Sequence, residues 1–330
     1  MCSVTKLTAV GLTCGLLALA SLTACSTAVD CHMQRGAFTS DTEACLRFGV
    51  STPNGPLAET EISRVTEVVG IRPSVLLSFH DFTAAPPLEE LDAVAAAGAV
   101  PIVTWEPWVH RGGDDYDRGA FPAAAIAAGA YDDYLYRWAD ELGAHGLTVY
   151  LRFAHEPNGT WYPWSPAGGT SPETYVSAWR HVHDIFVSKG ATNVKWLWAP
   201  NVPVAEEPRP ITAWYPGPEY VDVVGIDGYN WGAGAVGHNW VSPSDLFDPS
   251  FEQLRALAPG LPLLVSEVGS GELGGSKAEW IEELVAYLDE EPGVVGFVWF
   301  DYDKETDWRL DSGEDTGAAM GRALREAGLS

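Results

Sequence analysis

The feature that most constrains the fold is a regular alternation of short apolar runs with amphipathic helical stretches after residue 45. Near-continuous apolar strands that alternate with such helices are typical of a parallel sheet covered by helices. No linker rich in Pro, Gly or Ser interrupts the pattern, so we expect one domain over residues 46–330. The predicted strands are Leu46–Ser51, Ser74–Phe79, Val100–Trp105, Val149–Ala154, Val194–Ala199, Val221–Ile226, Leu263–Ser266 and Val294–Phe300.

Eight such units favour a closed (β/α)8 TIM barrel over an open doubly wound sheet. An open sheet would require a Gly-rich phosphate loop after its first strand, and FGVSTPNGP at residues 48–56 is not one. The active site of such a barrel lies at the C-terminal ends of its strands. The residues that follow each strand are therefore the candidates for function.

Start signals place several of the helices. Ser171 with Pro172 predicts a helix start, as does the capping box of Ser276 and Glu279. The Asp-Pro pair at residues 248–249 resembles the first of these and predicts another start.

The charge balance excludes nucleic acid as a partner. The chain has 19 Lys and Arg against 45 Asp and Glu, a net charge of -26, whereas phosphate binding depends on cationic side chains. A neutral or cationic partner fits this charge, and a solubilising acidic surface also explains it.

The first 24 residues are predicted to be a signal peptide. Lys6 precedes an uncharged apolar run from Leu7 to Ala24, and the run ends in small residues. The segment LTAC at residues 22–25 resembles a bacterial lipoprotein signal, in which Cys25 becomes the lipid-modified N-terminus. We expect an extracytoplasmic protein anchored to the membrane by this lipid alone, with a secreted form as the alternative.

Two cysteines remain in the predicted N-terminal segment, residues 25–45. Cys31 and Cys45 flank a short polar loop in an oxidising compartment, so we predict a disulfide between them, with free thiols as the alternative. Closing a loop of roughly 15 residues stabilises a fold by about 3 kcal/mol in the chain-entropy model. No Cys or His spacing indicates a metal site, and the predicted chemistry needs no cofactor.

Acidic and large aromatic side chains recur at the predicted strand ends. Aromatic rings pack on the apolar faces of sugar rings, while carboxylates and amides bind the hydroxyl groups. Glycoside cleavage uses two carboxyl groups, and Glu156 and Glu267 follow the fourth and seventh strands on opposite sides of the barrel mouth. A separation of about 5 to 5.5 Å between them would imply retention of anomeric configuration.

These two segments resemble glycoside hydrolase family 26. RFAHEPNGTWYPW at residues 152–164 is similar to the family's acid/base motif, and LLVSEVGSG at residues 263–271 is similar to its nucleophile segment. The resemblance extends from about Phe48 to Arg309. It implies a retaining (β/α)8 enzyme with Glu156 as acid/base and Glu267 as nucleophile.

The resemblance also assigns supporting roles by position. Arg152 would keep the nucleophile ionised, and His155 would orient both carboxylates. Tyr229 would bond the nucleophile, and Trp299 would form the floor of the central sugar subsite. The remaining residues implied for substrate binding or support are Asn158, Trp161, Trp164 and Asp227.

Two residues at other strand ends, Glu106 and His80, keep two interpretations each, and Trp108 is a further candidate for substrate binding beside Glu106. Glu106, which Trp108 follows closely, could bind a sugar hydroxyl or only bond backbone amides at the rim. His80 could belong to the site or be a strand-end histidine with a structural partner.

The substrate is predicted less sharply than the reaction. Family members that cleave mannan carry Met after the catalytic Glu, whereas this chain has Pro157, and VTWEPW and WYPW resemble the members that cleave mixed-linkage β-glucan. We expect a monomeric, retaining endo-β-glycanase acting on mixed-linkage β-1,3-1,4-glucan (lichenan) or β-1,4-mannan. The alternative is a non-catalytic glycan-binding lipoprotein on the same scaffold.

Overall fold

The computed structural model describes residue 38 and residues 46–113, 115–203, 210–313 and 315–329. The predicted signal peptide and Cys25, Cys31 and Cys45 lie outside the described residues.

Eight parallel strands close into a barrel, which confirms the predicted (β/α)8 fold in a single domain. Their order around the barrel is β1-β10-β9-β8-β7-β6-β3-β2, and β4 and β5 form a separate antiparallel hairpin. The strands of the described chain are β1 (Arg47–Ser51), β2 (Val75–Asp81), β3 (Val100–Glu106), β4 (Val109–Gly112), β5 (Asp115–Asp117), β6 (Val149–Phe153), β7 (Val194–Trp198), β8 (Val223–Asn230), β9 (Leu263–Ser270) and β10 (Val294–Phe300).

Helices follow the strands and cover the outside of the barrel. Those described are α1 (Glu59–Val69), α2 (Leu88–Ala96), α3 (Ala123–Ala127), α4 (Asp132–His145), α5 (Pro172–Ser188), α6 (Pro243–Leu257), α7 (Lys277–Glu290) and α8 (Thr316–Glu326). None of the helices in the described ranges has the length and apolar character needed to cross a membrane.

Two of the three predicted helix starts are confirmed. The side chains of Ser171 and Ser276 accept hydrogen bonds from the backbone N–H groups of Thr174 and Glu279. The start predicted at residues 248–249 is wrong, because Ser242 caps α6 and Pro249 lies inside that helix. The segment SPSD at residues 242–245 carries the same cap signal six residues earlier.

The core has two layers. A small cluster fills the inside of the barrel, and it includes Val75, Tyr150 and Leu264. Phe38 belongs to this cluster, and its backbone N–H donates a 2.6 Å hydrogen bond to the Tyr150 hydroxyl. A much larger cluster lies between strands and helices and takes up most of the buried Trp side chains.

A bulge in β9 changes which way its side chains point. Ile226 pairs with Val265, but the next residue of β8, Asp227, pairs with Glu267. One residue of β8 is thus matched by two of β9, and bulges of this kind commonly re-aim side chains next to active sites. Leu264 and Glu267 can therefore both face the barrel interior although three positions separate them.

Candidate active site

Glu156 lies just beyond β6 in a left-handed backbone conformation. Its φ is 49°, and its backbone N–H donates a 2.7 Å hydrogen bond to the carbonyl of Ala199 after β7. Trp161 Nε1 donates to Glu156 Oε2 over 2.6 Å, and Asn201 Nδ2 donates to Oε1 over 3.2 Å. Two donors therefore fix both carboxyl oxygens of a side chain that is 5% exposed.

The turn after Glu156 requires a glycine. A Cβ atom on Gly159 would lie 2.6 Å from the ring of Trp161, so this ring can reach Glu156 only over a residue without a side chain. Asn158 closes the same turn, since its amide donates to the carbonyl of Asn201 and its Oδ1 accepts from the Asn201 N–H.

Glu267 is held by two donors from neighbouring strands. Arg152 Nη1 donates to its Oε1 over 2.6 Å, and the Tyr229 hydroxyl donates to its Oε2 over 2.6 Å. A carboxylate that accepts hydrogen bonds from a guanidinium and a hydroxyl group is stabilised in its ionised form. Glu267 is thus held in one orientation by a cation and a hydroxyl group.

Arg152 links Glu267 to a second buried acid. Its Nη2 donates to Asp227, and its Nη1 also donates to Thr104 Oγ1 over 3.0 Å. Burial alone would lower the pKa of Arg152, but the carboxylates of Asp227 and Glu267 outweigh burial and raise it. The guanidinium therefore stays charged at the centre of the barrel.

Burial and neighbouring negative charge hold Glu156 in its protonated form. Burial, followed by the charges of Asp227 and Glu267, raises the pKa of Glu156 well above its ordinary value. The two carboxyl groups at this mouth therefore have different surroundings, with Arg152 and Tyr229 bonding Glu267 and Trp161 and Asn201 bonding Glu156.

His155 contacts the site through a tyrosine. Its Nε2 lies 2.9 Å from the Tyr162 hydroxyl, and its buried Nδ1 has no hydrogen-bond partner among the residues that the structure describes. Burial, then the charge of Arg152, lowers the pKa of His155 well below its ordinary value, so the ring is neutral. Its hydrogen bond goes to Tyr162 instead of the two carboxylates that it was expected to orient.

Trp164 holds both His155 and Tyr162 in place. Its Nε1 donates a 2.6 Å hydrogen bond to the His155 carbonyl, and its ring stacks on Tyr162 at 4.5 Å. With 1% exposure, Trp164 positions other side chains and offers no face to a sugar.

Glu106 ends β3 on the strand face that also carries Thr104, which bonds Arg152. It is 8% exposed, and burial followed by the charge of Glu267 raises its pKa to about 8. Trp108 lies beside it, with its ring stacked on Tyr116 at 4.1 Å.

The expectation for Trp299 needs correction, and of the two interpretations of His80 the structure supports the one with a structural partner. Trp299 does not form a subsite floor, because its ring is fully buried on the outer face of β10 against Trp280 and Lys277 of α7. His80 points away from the mouth and bonds Glu90 of α2 over 3.0 Å. The residues that face the mouth are their neighbours, Phe300 in β10 and Phe79 in β2. The rings of these two residues lie 6.4 Å apart.

Sequence reasoning gave no role to several residues that build the site. Tyr162 bonds His155, Asn201 bonds Glu156, and Arg118 of the segment after β5 bonds the carbonyl of Trp161. Gly112 and Gly113 lie where β4 ends, and a Gly pair between two short strands predicts a hairpin. Asn201 stood at a predicted strand end and could have been found from that position.

Similarity to known proteins agrees with this geometry. Residues 127–258 match the model of glycosyl hydrolase family 26. Endoglucanase H of Acetivibrio thermocellus is 35% identical over 288 residues, covering 84% of this chain and 30% of that protein. Mannan endo-1,4-beta-mannosidase A and B of Caldalkalibacillus mannanilyticus is 28% identical over 182 residues, covering 52% of this chain and 32% of that protein. The chain thus spans about a third of the length of these relatives.

Solved structures share the fold. The GH26 domain of an endo-beta-mannanase/endo-beta-glucanase from Prevotella bryantii superposes with a TM-score of 0.62 at 17% identity, covering 88% of this chain and 96% of that one. A GH26 beta-mannanase from Bacteroides ovatus gives a TM-score of 0.63 at 18% identity, covering 87% and 91%. The match of residues 127–258 to the family model, together with the relatives above and the shared (β/α)8 barrel, relates this chain to glycosyl hydrolase family 26.

Proposed function

We propose that this chain is a retaining endo-β-glycanase in which Glu267 is the nucleophile and Glu156 the acid/base. The observation that carries the proposal is the contrast between the two carboxyl groups. Glu267 accepts from Arg152 and Tyr229, which favour its ionised form, whereas burial beside negative charge keeps Glu156 protonated.

The reaction proceeds by double displacement. Glu267 attacks the anomeric carbon while Glu156 gives its proton to the departing glycosidic oxygen, which breaks the bond and leaves a glycosyl-enzyme ester. Glu156, now ionised, removes a proton from water, and that water attacks the same carbon and releases Glu267. Trp161 and Asn201 keep the Glu156 carboxyl aligned through both steps.

We propose mixed-linkage β-1,3-1,4-glucan as the substrate, with β-1,4-mannan as the second candidate. Pro157 and the sequences VTWEPW and WYPW favour the glucan. Endoglucanase H, whose name describes a glucan-cleaving enzyme, is a relative at 35% identity. Mannan remains a candidate because other relatives carry the name mannan endo-1,4-beta-mannosidase.

Reducing-end release from lichenan, glucomannan and galactomannan tests the proposal. We expect rapid release from lichenan and slower or no release from galactomannan. Proton NMR of the first product should show the β anomer before mutarotation, because two displacements restore the starting configuration. Binding without release from any of the polymers would instead support the non-catalytic alternative.

We also propose that Cys25 anchors the protein to the outside of the cell membrane. This proposal rests on the apolar run that ends in LTAC. Labelling of the full-length chain with a radioactive fatty acid in a bacterial host, with Cys25→Ser as control, tests it. Equal labelling of both proteins would contradict the anchor.

A further inference from the structure

Lys277, the first residue of α7, is a fully buried amine that the double displacement does not use. Its Nζ donates to the carbonyls of Asp307 and Arg309 over 3.0 and 2.8 Å and to Ser312 Oγ over 2.8 Å. An ammonium group has three N–H donors, and all three are used on the segment after β10. Burying a charged amine costs free energy unless it is bonded in this way, so a lysine here serves the segment that it bonds.

Trp299 bonds the carbonyl that lies between the two bonded by Lys277. Its Nε1 donates to the carbonyl of Trp308 over 2.8 Å, and Lys277 Nζ lies 5.9 Å from the centre of its ring. Two side chains, from α7 and β10, thus hold the three consecutive carbonyls of residues 307–309. The backbone N–H of Trp308 donates to the carbonyl of Tyr302 over 2.8 Å. The peptide groups on both sides of Trp308 are therefore fixed.

The ring of Trp308 packs against Tyr229, whose hydroxyl bonds Glu267. The centres of the two rings lie 5.0 Å apart, and Trp308 is 1% exposed. A Cβ atom on Gly269 would lie 3.0 Å from the ring of Trp308 and 3.2 Å from that of Tyr229. Both rings thus fill the space that this glycine leaves in β9, the strand that carries Glu267. A displacement of Trp308 would therefore move the ring of Tyr229.

We propose that Lys277 is a positioning residue for the nucleophile Glu267. With Trp299 it fixes the peptide groups of Trp308, and the ring of Trp308 then keeps the hydroxyl of Tyr229 on the carboxylate. This inference rests on the proposed function and deepens it, because it extends the orientation of the nucleophile to a lysine that bonds only the segment after β10.

Steady-state kinetics on lichenan in two backgrounds tests the inference. Burial lowers the pKa of Lys277 to about 8, so an assay at about pH 6 keeps its ammonium form. Lys277→Met removes the three donors and should lower kcat about 10-fold with little change in KM. In a Tyr229→Phe background the same change should cost less than about 2-fold, because the hydroxyl that it would misplace is already absent.

Ser312→Ala and Lys189→Met complete the set of variants. Ser312→Ala removes one acceptor from Lys277, folds more readily than Lys277→Met, and should lower kcat about 2- to 3-fold in the wild-type background alone. Lys189 bonds Asp140 of α4 over 2.8 Å on the outside of the barrel, so Lys189→Met should keep the kcat and KM of the wild type. Melting curves show which variants are folded.

A purely structural role would reduce the amount of folded enzyme and lower kcat by the same factor in both backgrounds. That result, or an unchanged kcat in folded Lys277→Met and Ser312→Ala, would overturn the inference. A wild type that cleaves no glycan would contradict the proposed function instead. Crystal structures of Lys277→Met and Ser312→Ala would then decide the inference. The hydroxyl of Tyr229 should lie farther than 2.6 Å from Glu267 Oε2 in these variants, and an unchanged distance in both would contradict the role of Lys277.

Discussion

The hydroxyl group of Tyr229 lies 2.6 Å from Glu267 Oε2, while Arg152 Nη1 lies 2.6 Å from the other oxygen. Both donors come from strands, β8 and β6, and not from mobile loops. The carboxylate is therefore oriented before any substrate arrives. Such preorganisation reduces the rearrangement that the protein must undergo in the transition state.

Tyr229→Phe should lower kcat about 10- to 100-fold with little change in KM, because one donor that orients the nucleophile is removed and no substrate contact is lost. Steady-state kinetics on lichenan measures this. Tyr287→Phe is the matched control, since that hydroxyl bonds Asp248 on the outside of the barrel. An equal loss of kcat in both variants would show that the effect is not local to Glu267.

The two carboxyl groups to which we assign the catalysis should respond differently to removal. Glu267→Ala should abolish turnover of every substrate, because no covalent intermediate can form. Glu156→Ala should retain more activity on aryl glycosides with good leaving groups, which need no proton, and azide should restore part of its rate. The reverse pattern would mean that the two roles are exchanged.

Trp161→Phe should move the alkaline limb of the kcat/KM profile to higher pH. The hydrogen bond from Trp161 stabilises the ionised form of Glu156 and so lowers its pKa, against the raising effect of burial. Without that bond the pKa rises, and a proton donor then stays protonated to a higher pH. Trp164→Phe loses an indole bond to the His155 carbonyl instead, and its alkaline limb should not move.

Arg152→Met should destabilise the fold by about 3 to 5 kcal/mol, because it leaves the carboxyl groups of Asp227 and Glu267 buried without their cation. Glu267→Gln should cost much less, since Arg152 keeps Asp227 as a partner. Urea unfolding at pH 7 measures both. Equal destabilisation of the two variants would contradict a central role for the guanidinium.

The positions of the barrel strands could be predicted because a parallel strand buried on both faces is a run of apolar residues. Their ends could not, since β8 and β9 continue to Asn230 and Ser270 through polar residues that face the mouth. Family motifs located Glu156 and Glu267 but contain no information on which neighbours bond them.

The direction of individual side chains was the main source of error. Trp299 and Phe300 are adjacent, and β10 alternates regularly, with Phe297 and Trp299 packed outside the barrel and Val298 inside it. A change of one residue in register reverses the faces of a strand. Every residue of β10 is apolar or Gly, so its alternation does not show in the sequence, and the large aromatic residue was assigned to the wrong face.

The left-handed backbone at Glu156 lowers the stability of the fold at a residue that the proposed reaction needs. A non-glycine residue in that conformation costs about 1 to 2 kcal/mol, and a glutamate kept there while buried adds to this cost. Asn and Gly adopt the conformation more readily. A search for heat-resistant variants that scores stability alone would therefore select against the proposed proton donor, and any such design must hold position 156 fixed.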